Sequence, residues 1–426
     1  MDQHILQKKY PQFIYKNYSW EIKDGKITVL FDFLIEPDIT FAPSVEISGV
    51  PKKNLEKIVK RDLNNLFFHL GLAEIPSYWK TSCAKKVIIR CGYLNRAQIR
   101  FWEKLYLNGM AQFYCENRLP FFSPKFTSDF PKPKPFPKPL NIRLNDAYLV
   151  PIGGGKDSLV TLEILRENKK AAATFVLNEN SVLKKLIVNT GAENLSVRRI
   201  FDKKLFVMKK KGFLNGHTPF SSYLAFLSVL LAALSNKKYV AISQERSSQE
   251  GNLAYRGRVV NHQYSKSLEF EDDFRDYSRR YLAKKADFFS ALRPLYEIQI
   301  AKIFSSYKKY FPYFLSCNKA YKITVPTVSS WCGRCPKCLF TFAALYPFIS
   351  ARDIKKIFNR DYFEDKSLIP VMKKLIGEIK PFECVGTKKE ILAAFYLSLQ
   401  KSSVSVRPPA LLEYFKDKIL PGLKKE

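Results

Sequence analysis

The Gly-rich segment from Gly153 to Ser158 carries residue types that hold phosphate groups. It directly follows the apolar stretch Ala147–Ile152, which predicts a buried strand, and directly precedes the helical run Ser158–Asn168. Glycines let the backbone approach a ligand, the amides at a helix N-terminus face an anion, and a lysine adds a point charge for phosphate. The segment therefore predicts a nucleotide-phosphate site made by Gly153, Gly154, Gly155, Lys156, Asp157 and Ser158.

The spacing in this segment excludes two common nucleotide-binding motifs. A Walker A loop has Ser or Thr after its lysine, whereas Asp157 follows Lys156, and Val150 stands where that loop has its first glycine. The dinucleotide motif G-x-G-x-x-G has its third glycine where Ser158 stands. A plain strand-to-helix turn is the alternative, and the Lys-Asp-Ser sequence favours phosphate binding over it.

Polar residues that follow a second predicted strand, Tyr239–Ser243, are the next candidates. In open parallel sheets, ligands bind beyond the carboxyl ends of the strands, which is also where the Gly-rich turn lies. We therefore expect Glu245, Arg246 and Asn252 to share one site with Lys156.

The polar segment 261–267 (NHQYSKS) has the composition of a turn and predicts further functional residues. His262 and Lys266 are candidates for proton transfer, although a lone histidine is more often structural than catalytic. The candidates for substrate contact are Asn261, Tyr264 and Ser265.

An amphipathic helix is predicted after this turn, with an aromatic face made by Phe270, Phe274, Tyr277 and Tyr281. It opens with five acidic residues, namely Glu269, Glu271, Asp272, Asp273 and Asp276. Acids at a helix N-terminus match the helix dipole, which stabilises the helix by ~0.3–1 kcal/mol per residue. Contact with Mg²⁺ or with a substrate amine is the alternative interpretation.

Three cysteines, Cys332, Cys335 and Cys338, form a C-x₂-C-x₂-C motif, and Cys317 lies 15 positions upstream of the first. Four thiolates at ~2.3 Å make a closed tetrahedral zinc site, and C-x₂-C turns suit that geometry. We therefore predict a structural zinc ion. An iron–sulfur cluster or a set of redox-active or free thiols are the alternatives.

The composition is that of a globular protein. The 426 residues are 46% hydrophobic and 26% charged, which excludes a wholly disordered chain, and 8 cysteines are too few for a disulfide scaffold. The 71 Lys and Arg exceed the 39 Asp and Glu by 32, an excess that favours anionic partners and is spread along the whole chain.

Location follows from the apolar segments. The longest one, Tyr223–Leu234, has 12 residues, whereas a membrane span needs roughly 20. The first residues, MDQHILQKKYPQF, lack the apolar run of a signal peptide. We expect a cytoplasmic protein with reduced thiols and no membrane span.

Four regions are predicted along the chain. Residues 1–130 mix strand-like and helical stretches, as in an α+β domain, and residues 131–140 are a Pro- and Lys-rich linker. Residues 141–315 alternate apolar strands with helices, which predicts an α/β fold with a parallel sheet covered by helices on both faces. Residues 316–426 are predicted to be helical apart from a cysteine knuckle.

Individual elements are predicted on both sides of the linker. In the first region they are strands over Lys26–Leu34 and Lys86–Arg90 and helices over Asn54–Leu70 and Asn95–Met110. The third region adds two strands, over Ala173–Leu177 and Leu195–Ile200, and a helix over Ser221–Ser235 to the elements already named.

The sequence GGGKDS resembles the pyrophosphate loop of the ATP-pyrophosphatase (PP-loop) superfamily, S-G-G-x-D-S, with Gly153 in place of the first serine. That resemblance implies an adenine-nucleotide alpha-hydrolase-like fold, cleavage of ATP between the α- and β-phosphates, and adenylation of an oxygen. The wider set of blocks resembles the MurL family of UDP-N-acetylmuramoyl-L-alanyl-L-glutamate epimerases. These blocks are GGGKDS, Gln244–Asn252, Asn261–Ser267, Trp331–Cys338 and Pro381–Thr387.

The family resemblance implies an enzyme of peptidoglycan precursor synthesis that uses ATP and Mg²⁺. Such an enzyme inverts the terminal L-Glu of UDP-MurNAc-L-Ala-L-Glu to D-Glu through an acyl-adenylate. The Gly-rich turn would bind ATP, and Arg246 would hold the α-phosphate of ATP or a substrate carboxylate. The candidates for the base are His262, Lys266, Glu245 and Cys384.

Two other functions remain open at this point. A PP-loop enzyme that adenylates a base of tRNA would explain the positive charge and would bind RNA with a steep salt dependence. A zinc-containing nucleic-acid binder without enzymatic activity would leave GGGKDS unexplained.

Overall fold

The structure, a computed structural model, describes residues 3–133, 136–320, 330–377, 379–402 and 407–423. Two residues of the predicted linker, Lys134 and Pro135, lie outside these ranges. The described strands are β1 Gln12–Lys23, β2 Lys26–Ile35, β3 Ile39–Phe41, β4 Ser44–Ser48, β5 Lys86–Ile89, β6 Lys125–Ser128, β7 Asn145–Pro151, β8 Ala172–Leu177, β9 Asn194–Ile200, β10 Lys237–Ile242, β11 Leu253–Tyr255, β12 Arg258–Val260 and β13 Asp287–Ser290. The described helices are α1 Gln3–Lys9, α2 Lys52–Leu55, α3 Lys60–Glu74, α4 Pro76–Trp79, α5 Arg96–Gly109, α6 Ala111–Glu116, α7 Lys156–Glu167, α8 Ser181–Thr190, α9 Lys204–Lys210, α10 Phe220–Leu234, α11 Leu268–Tyr281, α12 Glu297–Phe304, α13 Pro336–Leu345, α14 Ala351–Phe358, α15 Ile369–Ile376, α16 Lys388–Ser402, α17 Ala410–Tyr414 and α18 Leu420–Leu423.

One mixed sheet of 11 strands organises the fold. Its order is β13-β10-β7-β8-β9-β4-β2-β1-β5-β6, and β3 pairs with β2 outside this path. The strands from β13 to β9 are parallel to their neighbours, as are β1, β5 and β6. The pairings β9–β4, β4–β2 and β2–β1 are antiparallel. The prediction of an α/β fold built on a largely parallel sheet is confirmed.

The winding of the parallel part defines where a ligand can bind. From the central strand β7 the chain continues to β8 and β9 on one side, and then crosses to β10 and β13 on the other. The direction of winding thus reverses between β7 and β10, and open α/β sheets bind ligands beyond the strand ends at such a point. The Gly-rich turn follows β7 and Glu245 follows β10, so both lie at this position.

Helices cover both faces of the parallel part. Leu149 and Phe175 belong to the core that contains the apolar side chains of α10, whereas the next residues, Val150 and Val176, belong to the core that contains those of α7 and α13. Because successive side chains of a strand point to opposite faces, this alternation shows that both faces are buried. The described helix α10 is one of the core helices, and none of the described helices has the length and apolar character of a membrane span.

The N-terminal strands extend the same sheet. Strands β1 and β2 form a hairpin whose turn, Asp24-Gly25, has positive φ at both residues (50° and 71°), as a two-residue hairpin turn requires. Strand β4 then pairs with β9 from Ser44 opposite Ile200 to Ser48 opposite Ser196. Strands on both sides of the predicted boundary at residues 131–140 therefore share one sheet, and the four-region division stays a prediction.

The elements predicted from the sequence are present, and one helix was predicted with the wrong extent. A single helix over Asn54–Leu70 is wrong, because α2 ends at Leu55 and α3 begins at Lys60. Ile58 is buried between them and Val59 is extended, and two β-branched residues in succession weaken a helix. The other elements named individually match within two residues at each end.

A buried ion pair joins the N-terminal region to the parallel sheet. Both carboxylate oxygens of Glu74, at the end of α3, accept hydrogen bonds of 2.7 Å from the guanidinium of Arg199 on β9. Arg199 also donates to Ser77 Oγ at 2.7 Å, and its guanidinium carbon lies 4.2 Å from the ring centre of Tyr223. Glu74 and Arg199 are both buried.

Removal of the Glu74 charge is expected to destabilise the fold. In Glu74→Gln the Arg199 cation stays buried without its counter-ion, so we expect the free energy of unfolding to fall by about 3–5 kcal/mol in urea denaturation. The control is Asp32→Asn, which removes an ion pair between Asp32 and Lys16. The side chains of Lys16 and Asp32 are 41% and 40% exposed, respectively. That variant is expected to change stability by about 0.5 kcal/mol or less, and equal effects of the two variants would contradict the prediction.

Candidate active site

A cavity of about 980 Å³ lies at the carboxyl ends of the parallel strands. It includes the point between β7 and β10 where the winding reverses. Its wall contains residues from the Gly-rich turn, from the segment after β10, and from the C-terminal region. Those that bear on the chemistry are Gly153, Gly155, Asp157, Ser158, Glu245, Lys266, Glu297, Lys337 and Cys384.

The Gly-rich turn is shaped by its glycines. Gly154 has φ of +89°, which favours glycine over other residues, and its carbonyl oxygen accepts a hydrogen bond of 2.8 Å from the amide of Leu315. A Cβ atom on Gly155 would lie 3.3 Å from Ser316 Cβ, whereas one on Gly153 would meet open space. Gly155 is the N-cap of α7 and has no side chain to accept from the first amides of the helix. The turn therefore offers a helix N-terminus at the cavity wall, as an anion site requires.

The side chain of Lys156 is buried between two carboxylates. Its Nζ donates to Asp157 Oδ1 at 2.5 Å and to the carboxylate of Glu297, the first residue of α12. Burial lowers the pKa of the Lys156 amine, but Asp157 and Glu297 outweigh it and raise that pKa above the usual range. Burial likewise raises the pKa of Glu297, but Lys156 and Lys337 bring it down to about 2. Lys156 and Glu297 are therefore both charged at neutral pH.

Glu390 of α16 connects the charged residues around Lys156 to the C-terminal region through Glu297. One of its carboxylate oxygens accepts from the amide of Glu297 at 2.6 Å, and the other accepts from Ser247 Oγ at 2.6 Å and from the amide of Thr387 at 2.7 Å. Thr387 and Glu390 also form a capping box at the start of α16, because the amide of Glu390 donates to Thr387 Oγ1. Our sequence reasoning missed Glu390, although the T-x-x-E spacing was a signal for it.

Glu245 is a carboxyl group that can exchange a proton near neutral pH. It is buried and lines the cavity. Burial, and then the negative charge of Glu297, raises its pKa to about 7, although Lys266 acts in the opposite direction. A group with that pKa is suited to general acid–base catalysis.

Asn252 fixes the orientation and the protonation of His262. Its Oδ1 accepts from the backbone amide of His262 at 3.0 Å and from ring Nδ1 at 2.9 Å, and its Nδ2 donates to the carbonyl of Pro381 at 2.9 Å. Nδ1 therefore carries the proton, and Nε2 presents a lone pair. Burial, followed by the positive charges of Lys266 and Lys380, lowers the pKa of His262 to about 3, so the ring is neutral at pH 7.

Cys384 lies between this histidine and Lys266. Its Sγ is 4.0 Å from His262 Nε2 and 3.3 Å from Lys266 Nζ, which also donates to Gln263 Oε1 at 3.0 Å. Burial lowers the pKa of Lys266, but Cys384 and Glu245 raise it above its usual range, so this side chain is a cation. The sulfur thus has an acceptor nitrogen on one side and a positive charge on the other.

Several predicted contact residues, Lys156 among them, are not among those that line the cavity. Arg246 is exposed, and its guanidinium carbon lies 5.1 Å from the ring centre of Tyr296. Tyr264 is part of the hydrophobic core, and Ser265 is buried. Asn261 shapes its own turn, because its side chain accepts from the amide of Gln263 at 2.8 Å. For these residues the structure indicates packing or positioning, and their predicted ligand contacts remain untested.

Of the five acidic residues named at the start of α11, Glu269, Glu271 and Asp273 are held by ion pairs and hydrogen bonds. Glu269 and Asp273 both pair with Lys104, at 2.7 and 2.6 Å. Glu271 is buried and accepts from Ser290 Oγ at 2.5 Å. The contacts of this cluster favour charge pairing over Mg²⁺ binding.

The four cysteines of the predicted zinc site come together. The Sγ atoms of Cys317, Cys332, Cys335 and Cys338 all lie within 4.8 Å of one another, the only such set of metal-binding side chains among the described residues. The Sγ atom of Cys338 lies 3.6 Å from that of Cys332 and 3.4 Å from that of Cys335. Four sulfurs at ~2.3 Å from a tetrahedral zinc ion would be about 3.8 Å apart. The set therefore has the size and the donors of a four-coordinate metal site.

Sequence neighbours of the cysteine cluster form part of the wall of the cavity. Ser316, next to Cys317, lines it beside Gly155. Lys337, between Cys335 and Cys338, lies 3.7 Å from a carboxylate oxygen of Glu297. A metal bound at the cysteines would therefore position a cation of the site.

Comparison with known proteins gives two matching family models and three related proteins. The family model of the MurL N-terminal domain matches residues 4–291, and that of the MurL C-terminal domain matches residues 313–419. Three related proteins carry the name UDP-N-acetyl-alpha-D-muramoyl-L-alanyl-L-glutamate epimerase. The one from Salinispora tropica is 30% identical over 403 residues, which are 93% of this chain and 86% of that protein.

The other two relatives are similar to the same extent. The protein from a Micromonospora species is 30% identical over 395 residues, 92% of this chain and 87% of its own length. The protein from Xanthomonas oryzae pv. oryzae is 31% identical over 350 residues, 82% of this chain and 77% of its own length. On these matches, the chain belongs to the MurL family.

Proposed function

We propose that this protein is an ATP-dependent epimerase that converts the terminal L-Glu of UDP-MurNAc-L-Ala-L-Glu to D-Glu in peptidoglycan precursor synthesis. The observation that carries the proposal is the match, over most of the chain, to relatives named for this reaction. A role in cell-wall formation and cell shape, and a cytoplasmic location, belong to the same proposal.

The first step of the proposed reaction activates a carboxylate. An oxygen of the α-carboxylate of the terminal Glu attacks the α-phosphorus of ATP, the bond to the β-phosphate oxygen breaks, and pyrophosphate leaves. The helix N-terminus at Gly155 and the cation of Lys156 support phosphate binding at the Gly-rich turn. Asp157 and Glu297 would hold Mg²⁺ together with phosphate oxygens, since Mg²⁺ favours one or two carboxylates and phosphates, and the ion would neutralise phosphate charge.

The second step inverts the carbon. The carboxylate charge makes the Cα proton only weakly acidic. Formation of the acyl-adenylate removes the charge from the carboxyl group next to Cα and permits an enolate. A base then takes the Cα proton, a second group returns a proton to the opposite face, and water cleaves the acyl–phosphate bond to release AMP. The overall reaction consumes ATP and water and forms AMP and pyrophosphate.

Two of the four candidate bases fit these proton transfers better than the others. Lys266 is held as a cation and therefore has no lone pair to accept a proton. His262 does not line the cavity and its ring stays neutral, so we place it as a positioning residue that accepts a hydrogen bond from Cys384. Cys384 and Glu245 both line the cavity, and we propose them as the two groups that remove and return the Cα proton.

Chiral analysis of glutamate tests the reaction. Purified protein is incubated with UDP-MurNAc-L-Ala-L-Glu, ATP and Mg²⁺, the product is hydrolysed, and D-Glu is quantified. We expect D-Glu only when ATP is present, together with equal amounts of AMP and pyrophosphate. Absence of D-Glu from folded, metal-loaded protein would contradict the epimerase proposal and would direct the search to RNA-dependent AMP formation.

The same assay tests the Gly-rich turn. We expect Lys156→Ala to abolish pyrophosphate release, because the variant lacks the cation at the turn. Lys170→Ala, which removes an exposed lysine shortly after α7, is expected to behave as wild type. Unchanged adenylation in Lys156→Ala would show that ATP binds elsewhere.

A variant of Cys384 separates the two chemical steps. In Cys384→Ser we expect D-Glu formation to fall by about 10²- to 10⁴-fold, the range for loss of a general base, while pyrophosphate release continues. In D₂O, deuterium incorporation at Cα should fall by the same factor. Cys115→Ser, which changes a cysteine of α6 that does not line the cavity, serves as the control. Full epimerase activity of Cys384→Ser would exclude this cysteine as a base.

We further propose that the cysteine cluster binds structural zinc. We expect about one zinc ion per chain by elemental analysis, and no bound zinc in Cys338→Ser. Because Cys338 begins the buried face of α13 beside Lys337, loss of the metal should also lower the melting temperature. Cys115→Ser should retain the metal, and iron in place of zinc would support the iron–sulfur alternative.

A further inference from the structure

The cavity continues from the Gly-rich turn to a second region, which we call the basic end. The basic end is formed by the residues Ser77, Lys80, Arg199, Phe201, Phe206 and Lys209. Arg199 and Phe201 stand at the carboxyl end of β9, which is separated from β7 by one strand, β8. Neighbouring strands lie ~4.8 Å apart, and two such spacings separate β7 from β9. The basic end therefore begins about 10 Å from the Gly-rich turn along the same edge of the sheet.

Positive charge exceeds negative charge in this region. Lys80, Arg199 and Lys209 contribute three cations, and in the described part of the chain the only carboxylate paired with any of them is Glu74. Lys80 is 9% exposed, and its Nζ donates to the carbonyl of Gly216 at 2.9 Å, which uses one of its three protons. Burial, followed by repulsion from Arg199 and Lys209, lowers the pKa of Lys80 to about 8. An anion bound here would relieve that repulsion.

Aromatic rings line the cavity beside these cations. Phe201 and Phe206 are partly buried, and Phe220, at the start of α10, is 43% exposed. The guanidinium carbon of Arg199 lies 4.3 Å from the ring centre of Phe201. Partly exposed aromatic rings next to cations suit a planar base attached to phosphates, because the rings stack on the base while the cations bind the phosphates.

We infer that the basic end binds the nucleoside diphosphate part of the UDP-linked substrate, apart from the ATP at the Gly-rich turn. The inference rests on the proposed function. Three cations against one carboxylate leave two positive charges, which match the charge of a diphosphate that links two groups. The cavity, at about 980 Å³, lies at the upper end of the range for pockets that hold one ligand and so has room for parts of two.

Steady-state kinetics of Lys209→Met test this assignment. We expect the KM for UDP-MurNAc-L-Ala-L-Glu to rise about 10-fold or more, because a charge-assisted contact to phosphate is lost, and the KM for ATP to stay within about twofold. The matched control is Lys210→Met, which makes the same change at the next residue of α9. Lys210 is exposed and does not line the cavity. That control should leave both KM values unchanged. A rise in the KM for ATP alone, or no rise at all, would overturn the inference.

Binding of UDP alone, measured by calorimetry, separates this inference from the epimerase proposal. We expect UDP to bind the wild type and Lys210→Met equally and Lys209→Met at least about 10-fold more weakly. Lys80→Met should weaken UDP binding further, and its melting temperature shows whether that variant folds. A protein that forms no D-Glu but binds UDP in this pattern would refute the reaction and retain the site.

A truncated substrate distinguishes the diphosphate from the glutamyl carboxylates. With MurNAc-L-Ala-L-Glu, which lacks UDP, Lys209→Met and the wild type should have the same KM. If Lys209→Met instead raises the KM for the truncated and the full substrates by the same factor, the basic end binds a carboxylate and the inference is wrong.

Discussion

The buried ion pair between Lys156 and Glu297 is the interaction on which the rest of the site depends. Charges removed from water are costly unless other charges and hydrogen bonds surround them, and here Asp157, Lys337 and Glu390 do so. These five residues come from the Gly-rich turn, from α12, from the cysteine cluster and from α16. The geometry of the Gly-rich turn therefore depends on the packing of the C-terminal helices against the parallel sheet.

The proposed proton-transfer group has the same dependence on distant segments. Cys384 lies in the loop before α16, whereas His262 and Lys266, which contact its sulfur, follow β12. Asn252 joins the two segments, since it holds the ring of His262 and also bonds to the carbonyl of Pro381. One amide side chain thus sets both the tautomer of the histidine and the distance between the histidine and the cysteine loop.

The parts of the site that could be predicted from the sequence are the parts encoded by short spacings. The Gly-rich turn needs only consecutive residues between a strand and a helix, and three of the four cysteines lie within seven residues of one another. Glu297 escaped prediction because its partner Lys156 is 141 positions away, and nothing in the local sequence marks it. Tyr264, predicted to contact substrate, is part of the hydrophobic core, because a polar turn can carry one apolar side chain inward. The pairing of β4 with β9 was missed for the same reason as Glu297, since it joins segments about 150 residues apart.

The pairing of β4 with β9 also limits how the protein can be divided. A fragment that begins after the Pro- and Lys-rich segment would lack β4, and the whole hydrogen-bonding edge of β9 would become exposed to solvent. Unprotected strand edges recruit other chains, so such a fragment would tend to aggregate rather than behave as an isolated nucleotide-binding module. Attempts to trim the protein for crystallisation, or to graft its parallel sheet onto another scaffold, therefore need to keep the N-terminal strands.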